Sequence, residues 1–201
     1  VDGDDIIQQY KKTRSKIGLS PQEINLDVFF TIKELLIFQG GYYGLSINES
    51  KNKTIKLLSD LGLKDKMNSK SRELSGGMKR RVQIAKALIH DPPILILDEP
   101  TAGVDIELRH MLWDYLTLLN KEGKTILLTT HYIEEAEKLC DQIAIINEGV
   151  IIKQGNTSSI IKEVSLNTIE LELENSENLN LSSNLEYTLE NNILKLQTKN
   201  V

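Results

Sequence analysis

The chain has 201 residues, which is enough for one substantial domain or for a domain with a small appendage. Its formal net charge of -5 disfavours a polyanion as the main partner, so we expect no nucleic-acid partner. The single cysteine, Cys140, excludes an internal disulfide, which fits a reducing compartment. No apolar run approaches the ~20 residues that span a bilayer, and we therefore expect a cytoplasmic protein.

The first half of the chain predicts a short strand followed by helices. Pro21 ends the strand, because proline has no backbone donor and disfavours helix in the residue before it. From residue 27 onward apolar side chains recur at the spacing of helical turns, with Gly40 and Gly41 weakening the middle. Ser75 is a good N-cap for an amphipathic helix. The predicted elements are a strand at 16–19, helices within 27–63, the second of them at 48–61, and a helix at 75–89.

The second half alternates strands with helices. Residues 94–97 are continuously apolar, which predicts a strand buried on both faces of a parallel sheet, and residues 125–129 predict a second buried strand. Helices are predicted at 106–119 and 133–139, and a further strand at 142–146. This rhythm is typical of an α/β fold in which helices cover a mostly parallel sheet.

Beyond this alternation the sequence predicts a small β-rich extension. Glu148 and Gly149 are typical of a hairpin turn, here leading into a strand at 150–153. Alternating apolar residues at 168–173 and 193–196 indicate further strands, in a region rich in Asn, Ser, Glu and Leu. The predicted domains are a main domain at 1–155 with a helical subdomain at about 23–90, and a C-terminal extension at 156–201.

Two acidic residues follow the apolar strand at 94–97. Asp98 and Glu99 are expected at the carboxyl end of a parallel strand, where α/β sheets bind ligands. Asp98 can hold Mg²⁺, directly or through water, since hard cations prefer oxygen ligands. Glu99 can polarise an attacking water, and such a base contributes roughly 10²–10⁴-fold to a rate. Taken alone, solvated acids at the end of a strand explain the pair equally well.

The tripeptide Ser75-Gly76-Gly77 begins a predicted helix. Backbone N–H groups are exposed there at the positive end of the helix dipole, and the missing Cβ atoms let a phosphate approach the main chain. In isolation, a simple serine N-cap with a loose first turn is the better explanation of the same residues.

Together with three further motifs, these residues resemble the ATP-binding domain of ABC transporters over about the first 160 residues. Residues 74–78 resemble the signature motif, residues 94–99 resemble Walker B with its catalytic glutamate, and residues 102–105 resemble the D-loop. His131 resembles the switch histidine, and Gln22 resembles the Q-loop glutamine. The motifs stand in the order that this family shows, which makes coincidence a poor explanation.

The resemblance implies a fold, cofactors and partners. The fold is a P-loop NTPase fold of the ABC ATPase type, truncated at its N-terminus, and the cofactors are ATP and Mg²⁺. Residues 40–44 and 78–81 are most similar to the subfamily that serves ABC-2-type permeases, which implies an exporter with a separate transmembrane permease. ATP would be sandwiched between two ATP-binding subunits, as a homodimer, on the cytoplasmic face of the membrane.

The resemblance also implies a role for each site residue. Asp98 and Gln22 would contact the metal, and Gln22 would report to the helical subdomain that docks on the permease. Glu99 would be the catalytic base, and His131 would contact the γ-phosphate and stabilise charge in the transition state. The residues that would serve the nucleotide of the partner subunit are Ser75, Gly76, Gly77 and Asp105. As an alternative or additional role, Asp105 is a candidate N-cap for the helix that follows.

The phosphate loop of this family, G-x-x-x-x-G-K-[ST] before the Q-loop, does not occur in the 201 residues. Gly123-Lys124-Thr125 is a poor substitute, because Leu118 stands where the first glycine belongs, a strand follows, and the segment comes after Walker B. Gly123 is better explained as a helix C-cap. The chain starts at Val1 rather than Met, and we expect that an upstream segment carrying the loop has been removed.

Two other functions stay open. A degenerate subunit would only complete the ATP site of a partner, although it would have no need of Glu99 and His131. A DNA-maintenance or translation ATPase has the same signature, but the first needs a long coiled coil and the second a tandem domain. Neither is visible in the sequence.

We predict that residues 1–201 alone bind ATP weakly or not at all and have negligible ATPase activity. The physical reason is the missing lysine and backbone cradle of the phosphate loop. Isothermal titration calorimetry with MgATP measures the affinity directly. An affinity in the micromolar range for the isolated chain would contradict the prediction.

Overall fold

The computed structural model describes residues 1–164, 167–172, 186–190 and 193–198, and it divides the chain into two compact units after Leu139. The helices are α1 (Tyr10–Ser15), α2 (Ile32–Tyr42), α3 (Ile47–Asp60), α4 (Gly76–Leu88), α5 (Ile106–Lys121), α6 (Ile133–Leu139) and α7 (Thr157–Val164). The strands are β1 (Ile17–Ser20), β2 (Ile94–Asp98), β3 (Thr125–Thr129), β4 (Gln142–Asn147), β5 (Val150–Asn156), β6 (Asn167–Glu172), β7 (Glu186–Glu190) and β8 (Ile193–Thr198). Within these described ranges, none of the helices combines the length and apolar character that a membrane crossing requires.

A parallel sheet with the strand order β1–β2–β3 forms the centre of the first unit. Strand β2 lies in the middle, and its register sets Leu97 beside Ser20 and Asp98 beside Thr129. All three strands run in the same direction, so their carboxyl ends meet at one edge of the sheet. The predicted α/β fold with a parallel sheet is confirmed.

Only one face of this sheet carries the hydrophobic core. Leu95 and Leu97 of β2 are fully buried in a cluster that also includes Leu112 and Leu116 of α5. On the opposite face Leu127 of β3 is 61% exposed. The prediction of a second buried strand at 125–129 is therefore wrong, because core side chains pack against only one face of β3 and leave alternate residues exposed on the other. In β2, for which the sequence predicts burial on both faces, Ile94 and Ile96 are only half-buried.

The first two helices of the helical subdomain, α2 and α3, both begin with a capping box. Thr31 and Glu34 form a capping box at the start of α2, and Ser46 and Glu49 form another at the start of α3. The predicted helical region from residue 27 therefore begins later, since Thr31 has extended backbone angles and its side chain accepts a hydrogen bond from the Glu34 N–H.

Helix α4 confirms the predicted N-cap at Ser75 and the predicted end near residue 89. The Ser75 side chain accepts a hydrogen bond from the Met78 N–H at 3.3 Å. Further along, Arg81 is buried and donates to the Leu61 carbonyl at 2.7 Å, which fastens α4 to the end of α3. The start of α4 is thus held in place by the rest of the subdomain.

The second unit contains a hairpin, a helix and a small sheet. Strands β4 and β5 pair antiparallel around Glu148 and Gly149, both with positive φ, as the predicted hairpin requires. Because β4 pairs only with β5 among the described residues, it does not join the parallel sheet as its place in the chain suggests. The other strands form an antiparallel sheet in the order β6–β8–β7, in which β6 and β8 correspond to the two predicted alternating stretches. Residue 173, included in that prediction, lies outside the described residues.

The chain divides after Leu139, whereas the sequence predicts a boundary after residue 155. The difference arises from the hairpin. Thr157 at the start of α7 donates its hydroxyl to the Cys140 carbonyl at 2.6 Å, so α7 and the hairpin belong to one unit. The assignment of functional domains at 1–155 and 156–201 stays a prediction.

We predict that Gly18→Ala destabilises the first unit, because a Cβ at this position would stand 2.3 Å from the Ala87 carbonyl oxygen. The close approach of β1 to α4 then has to open, at a cost of about 1–3 kcal/mol in the free energy of unfolding. Chemical denaturation monitored by circular dichroism measures the change. Gly41→Ala is the control, since a Cβ there meets nothing within 4 Å, and it should be neutral or stabilising. Equal effects of the two substitutions would contradict the packing argument.

Candidate functional site

Glu99 occupies a constrained position immediately after β2. Its φ of 47° is in the left-handed region, which non-glycine residues rarely adopt. Its N–H donates to the Thr129 carbonyl at 3.1 Å and lies 3.2 Å from the Thr129 hydroxyl oxygen. The same hydroxyl donates to a carboxylate oxygen of Asp98. Thr129 therefore aligns both acids, a role that the sequence alone did not suggest but that the pairing of β2 with β3 makes visible.

The Glu99 carboxylate lies between two other predicted site residues, Gln22 and His131. The Gln22 amide nitrogen donates to Oε2 of Glu99 at 3.3 Å, and His131 Nδ1 lies 3.3 Å from Oε1. Each oxygen thus has a different partner, contributed by a segment far away in the chain. The Glu99 side chain is 26% exposed, so water still reaches the carboxylate. The structure brings Gln22, Asp98, Glu99 and His131 together at the carboxyl edge of the sheet.

Two buried side chains on α4 hold the backbone around Gln22. The Arg80 guanidinium donates to the Pro21 carbonyl at 2.8 Å and to the Gln22 carbonyl at 2.7 Å. The Gln83 amide donates to the Pro21 carbonyl at 2.9 Å and to the Glu23 carbonyl at 2.7 Å. These contacts fix three successive carbonyl groups, so Gln22 is positioned by the helix that starts at Ser75. Sequence reasoning missed this role of Arg80, because a charged residue is usually exposed.

The charge of Arg80 also acts on the site. Burial lowers the pKa of Arg80 from its usual value, and the negative charges of Asp98 and Glu99 oppose this effect. Since arginine stays protonated in proteins, the two acids share their surroundings with a buried positive charge.

The Ser75-Gly76-Gly77 segment faces open space. A Cβ added at Gly76 would meet nothing within 4 Å, and one at Gly77 would make only ordinary contact, 3.7 Å from Val104 Cα. Packing within the chain therefore does not require glycine at position 76 or at position 77. Asp105, which follows Val104, caps α5 as predicted: its side chain accepts a hydrogen bond from the Leu108 N–H at 2.9 Å. The signature segment and the D-loop segment thus adjoin each other on one surface.

The oxygen donors at the site fit a hard cation. Among the residues described, no three His, Cys, Asp or Glu side chains form a group that could hold a metal by themselves. Mg²⁺ is commonly bound through one or two carboxylates, with water and substrate phosphates supplying the other ligands. The carboxylate of Asp98, oriented by the Thr129 hydroxyl, and the Gln22 amide provide such a partial set. The predicted metal contacts remain a proposal that the donor chemistry supports.

The family model described as ABC transporter matches residues 1–102. Nod factor export ATP-binding protein I of Paraburkholderia xenovorans (strain LB400) is 43% identical over 170 residues, which cover 84% of this chain and 56% of that protein. The chain spans about half the length of the curated relatives that it matches.

Solved structures with this fold carry nucleotide-binding functions in their own descriptions. An ATP-binding subunit of an ABC transporter matches with a TM-score of 0.72 and 29% identity, covering 81% of this chain and 68% of that one. The ATP-binding cassette MJ0796, in a dimeric post-hydrolysis state bound to ADP and Pi, matches with a TM-score of 0.69 and 27% identity, covering 78% and 69%. The predicted fold type is therefore confirmed.

We predict that Arg80→Met loosens the segment around Gln22. The substitution removes two charge-assisted hydrogen bonds to the Pro21 and Gln22 carbonyls, and we expect a loss of about 1–3 kcal/mol in the free energy of unfolding. Hydrogen exchange measured by mass spectrometry should accelerate in the peptide that contains residues 21–23.

Lys79→Met is the matched control, since it removes the neighbouring charge on the same helix from a partly exposed position. It should leave exchange at residues 21–23 unchanged. Equal acceleration by both substitutions would assign the effect to charge and contradict the positioning by Arg80.

Proposed function

The chain belongs to the ABC transporter family, and we propose that it is the ATP-binding and ATP-hydrolysing subunit of an ABC-2-type membrane exporter. The observation that carries the proposal is the placement of the Glu99 carboxylate between Gln22 and His131, beside Asp98. In this proposal two ATP-binding subunits enclose ATP and drive a separate transmembrane permease. The chain would then lie on the cytoplasmic face of the membrane, held there by the permease.

Each residue on the sheet edge has a defined task in hydrolysis. Glu99 accepts the proton of the attacking water, while Gln22 and His131 keep its carboxylate oxygens in place. His131 also lies at the end of β3, where its exposed ring can donate to a γ-phosphate. Asp98 would hold Mg²⁺, and the ion would supply positive charge against the phosphates. Positioning and electrostatics therefore account for the catalysis, as phosphoryl transfer requires.

The signature and D-loop residues serve the nucleotide of the partner subunit. Gly76 and Gly77 leave the start of α4 open, so the backbone N–H groups there can approach a phosphate closely. Asp105 adjoins this surface through the contact of Gly77 with Val104. The dimeric state in the description of MJ0796 supports an arrangement in which one subunit completes the site of the other.

A cleft in the helical subdomain provides a docking surface for the permease. Its volume is about 490 Å³, and its lining combines aromatic side chains with both charge signs, among them Asp27, Phe30, Phe38, Tyr42 and Lys86. Phe38 and Tyr42 are exposed, so an apolar helix of a partner can cover them. The cleft also includes Asn25, close in sequence to Gln22, which links docking to the hydrolytic site.

The open surface at Gly76 and Gly77 is also compatible with a second candidate, a non-catalytic subunit that completes the ATP site of a partner. Such a surface would serve the nucleotide of a partner whether or not Glu99 acts in hydrolysis. The two candidates differ in whether Glu99 is needed for turnover.

We predict that Glu99→Gln retains ATP binding and lowers turnover by roughly 10²–10⁴-fold, because the amide cannot accept the proton of the attacking water. The measurement is ATP hydrolysis by the full-length protein, as its gene encodes it, reconstituted with its permease in liposomes. Glu122→Gln, an exposed change at the end of α5, is the matched control and should keep full activity.

The same assay with Ser75→Arg separates the two candidates. The arginine places bulk and charge where the partner's phosphate would lie, so hydrolysis should be lost in both cases. Loss in Ser75→Arg together with full activity in Glu99→Gln would favour the non-catalytic subunit. Full activity in both variants would overturn the shared ATP site altogether.

A further inference from the structure

A completely buried acid lies in the first unit outside the catalytic edge. Glu135 of α6 is 0% exposed, and one of its oxygens, Oε1, accepts two hydrogen bonds. The donors are the Thr101 hydroxyl at 2.9 Å and the Trp113 indole N–H at 2.9 Å. The other oxygen, Oε2, is buried with no hydrogen-bond partner. Burying a carboxylate is costly, so a residue of this type in this place requires a reason.

The three partners belong to three different segments. Thr101 is in the loop that leads from Glu99 towards Asp105, and Trp113 lies in the middle of α5. Glu135 lies in α6, four residues after the switch residue His131. A single carboxylate oxygen of Glu135 therefore bonds both to Thr101, the residue immediately before the D-loop, and to Trp113 of α5, the helix that follows the D-loop.

A second contact runs between the same two elements, closer to the catalytic edge. The Arg109 guanidinium of α5 stands 4.4 Å from the ring centroid of Tyr132, in cation–π geometry. The Tyr132 ring in turn lies 4.1 Å from the His131 ring. Residues 109 and 113 are four apart on α5 and so face the same side of the helix. That side contacts the switch segment, residues 131–135, at Tyr132 and at Glu135.

We propose that Glu135 is a positioning residue, which keeps His131 at a fixed place relative to Asp105. This inference rests on the proposed function, in which His131 serves the subunit's own nucleotide and Asp105 serves the partner's nucleotide. Because Asp105 caps α5 and α5 is tied to the switch segment, a displacement at one end is transmitted to the other. The clamp of Thr101, Trp113 and Glu135 thereby couples the two nucleotide sites of the dimer.

Two conservative substitutions separate the position of the acceptor from its charge. Glu135→Gln keeps an oxygen at the place where both donors converge and removes the charge. Glu135→Asp keeps the charge and withdraws the oxygens by one methylene group. A positioning role requires that the glutamine variant behaves like the wild type and that the aspartate variant does not.

The structural arm uses nuclear magnetic resonance on the full chain without nucleotide. Trp113 is the only tryptophan in the sequence, so its indole N–H gives one signal that Trp113→Phe identifies. Glu135→Asp should shift this signal, speed its exchange and move the ring signals of His131. Glu135→Gln should keep the indole protected and leave His131 near its wild-type shifts.

A matched pair of threonine substitutions controls for loss of stability. Thr101→Val removes one donor to Glu135, whereas Thr117→Val removes a hydroxyl that bonds only to the Trp113 carbonyl of its own helix. Movement of the His131 signals in Thr101→Val but not in Thr117→Val supports the clamp. Equal movement in both variants, or none in Glu135→Asp, overturns it.

The kinetic arm measures ATP hydrolysis with the permease present. Glu135→Asp should lower kcat by about ten- to a hundredfold with little change in KM, since displacement of a catalytic group by ~1 Å costs up to 10²-fold. Glu135→Gln should restore kcat to near the wild-type value. Low activity in Glu135→Gln with normal activity in Glu135→Asp would show that the charge matters instead and would overturn the proposal.

The two arms keep this inference separate from the proposed function. If Glu99→Gln leaves hydrolysis intact, the proposed function fails, while the resonances of Trp113 and His131 still decide whether Glu135 positions the switch segment. If Glu99→Gln stops hydrolysis and Glu135→Asp keeps its full kcat, the proposed function stands and the positioning role is overturned.

Discussion

The parallel pairing of β2 with its two neighbours is the constraint on which the rest of the structure depends. It aligns the ends of strands that are separated by long stretches of sequence, and it sets Asp98 beside Thr129. One register step in either direction would move the side chains of Leu97 and Asp98 each to the other face of the sheet, because side chains alternate along a strand. The acids then would lose both the Thr129 hydroxyl and the partners of Glu99. The hydrophobic face formed by Leu95 and Leu97 holds this register, so the core determines the geometry of the site.

Features set by a few neighbouring residues could be predicted from the sequence. Ser75 and Asp105 cap their helices as expected, and the hairpin at Glu148 and Gly149 turns as expected. The motif order also led to the fold, and the meeting of Gln22, Glu99 and His131 follows once three strands are known to be parallel. Local chemistry and the direction of strands were sufficient for these results.

Features that depend on contacts far apart in the sequence could not be predicted. The burial of Arg80 and Glu135 contradicts the usual placement of charged residues, and only the fold reveals the carbonyl groups and donors that they meet. The exposed face of β3 has the same origin, since Leu127 looks like a core residue in any short window. The boundary after Leu139 follows from the pairing of β4 with β5 and from the hydrogen bond of Thr157 to Cys140, neither of which is visible as a change in composition.

The left-handed backbone at Glu99 has a consequence for how the protein can change over time. A non-glycine residue in that region carries a conformational cost of about 1–3 kcal/mol, which glycine would avoid. A subunit released from the need to hydrolyse ATP would therefore gain stability by losing this side chain. Mutation of Glu99 to glycine would remove this conformational cost, so a glutamate is retained at this position only if selection for hydrolysis opposes the gain in stability. The residue is thus a sensitive marker of whether turnover is still under selection.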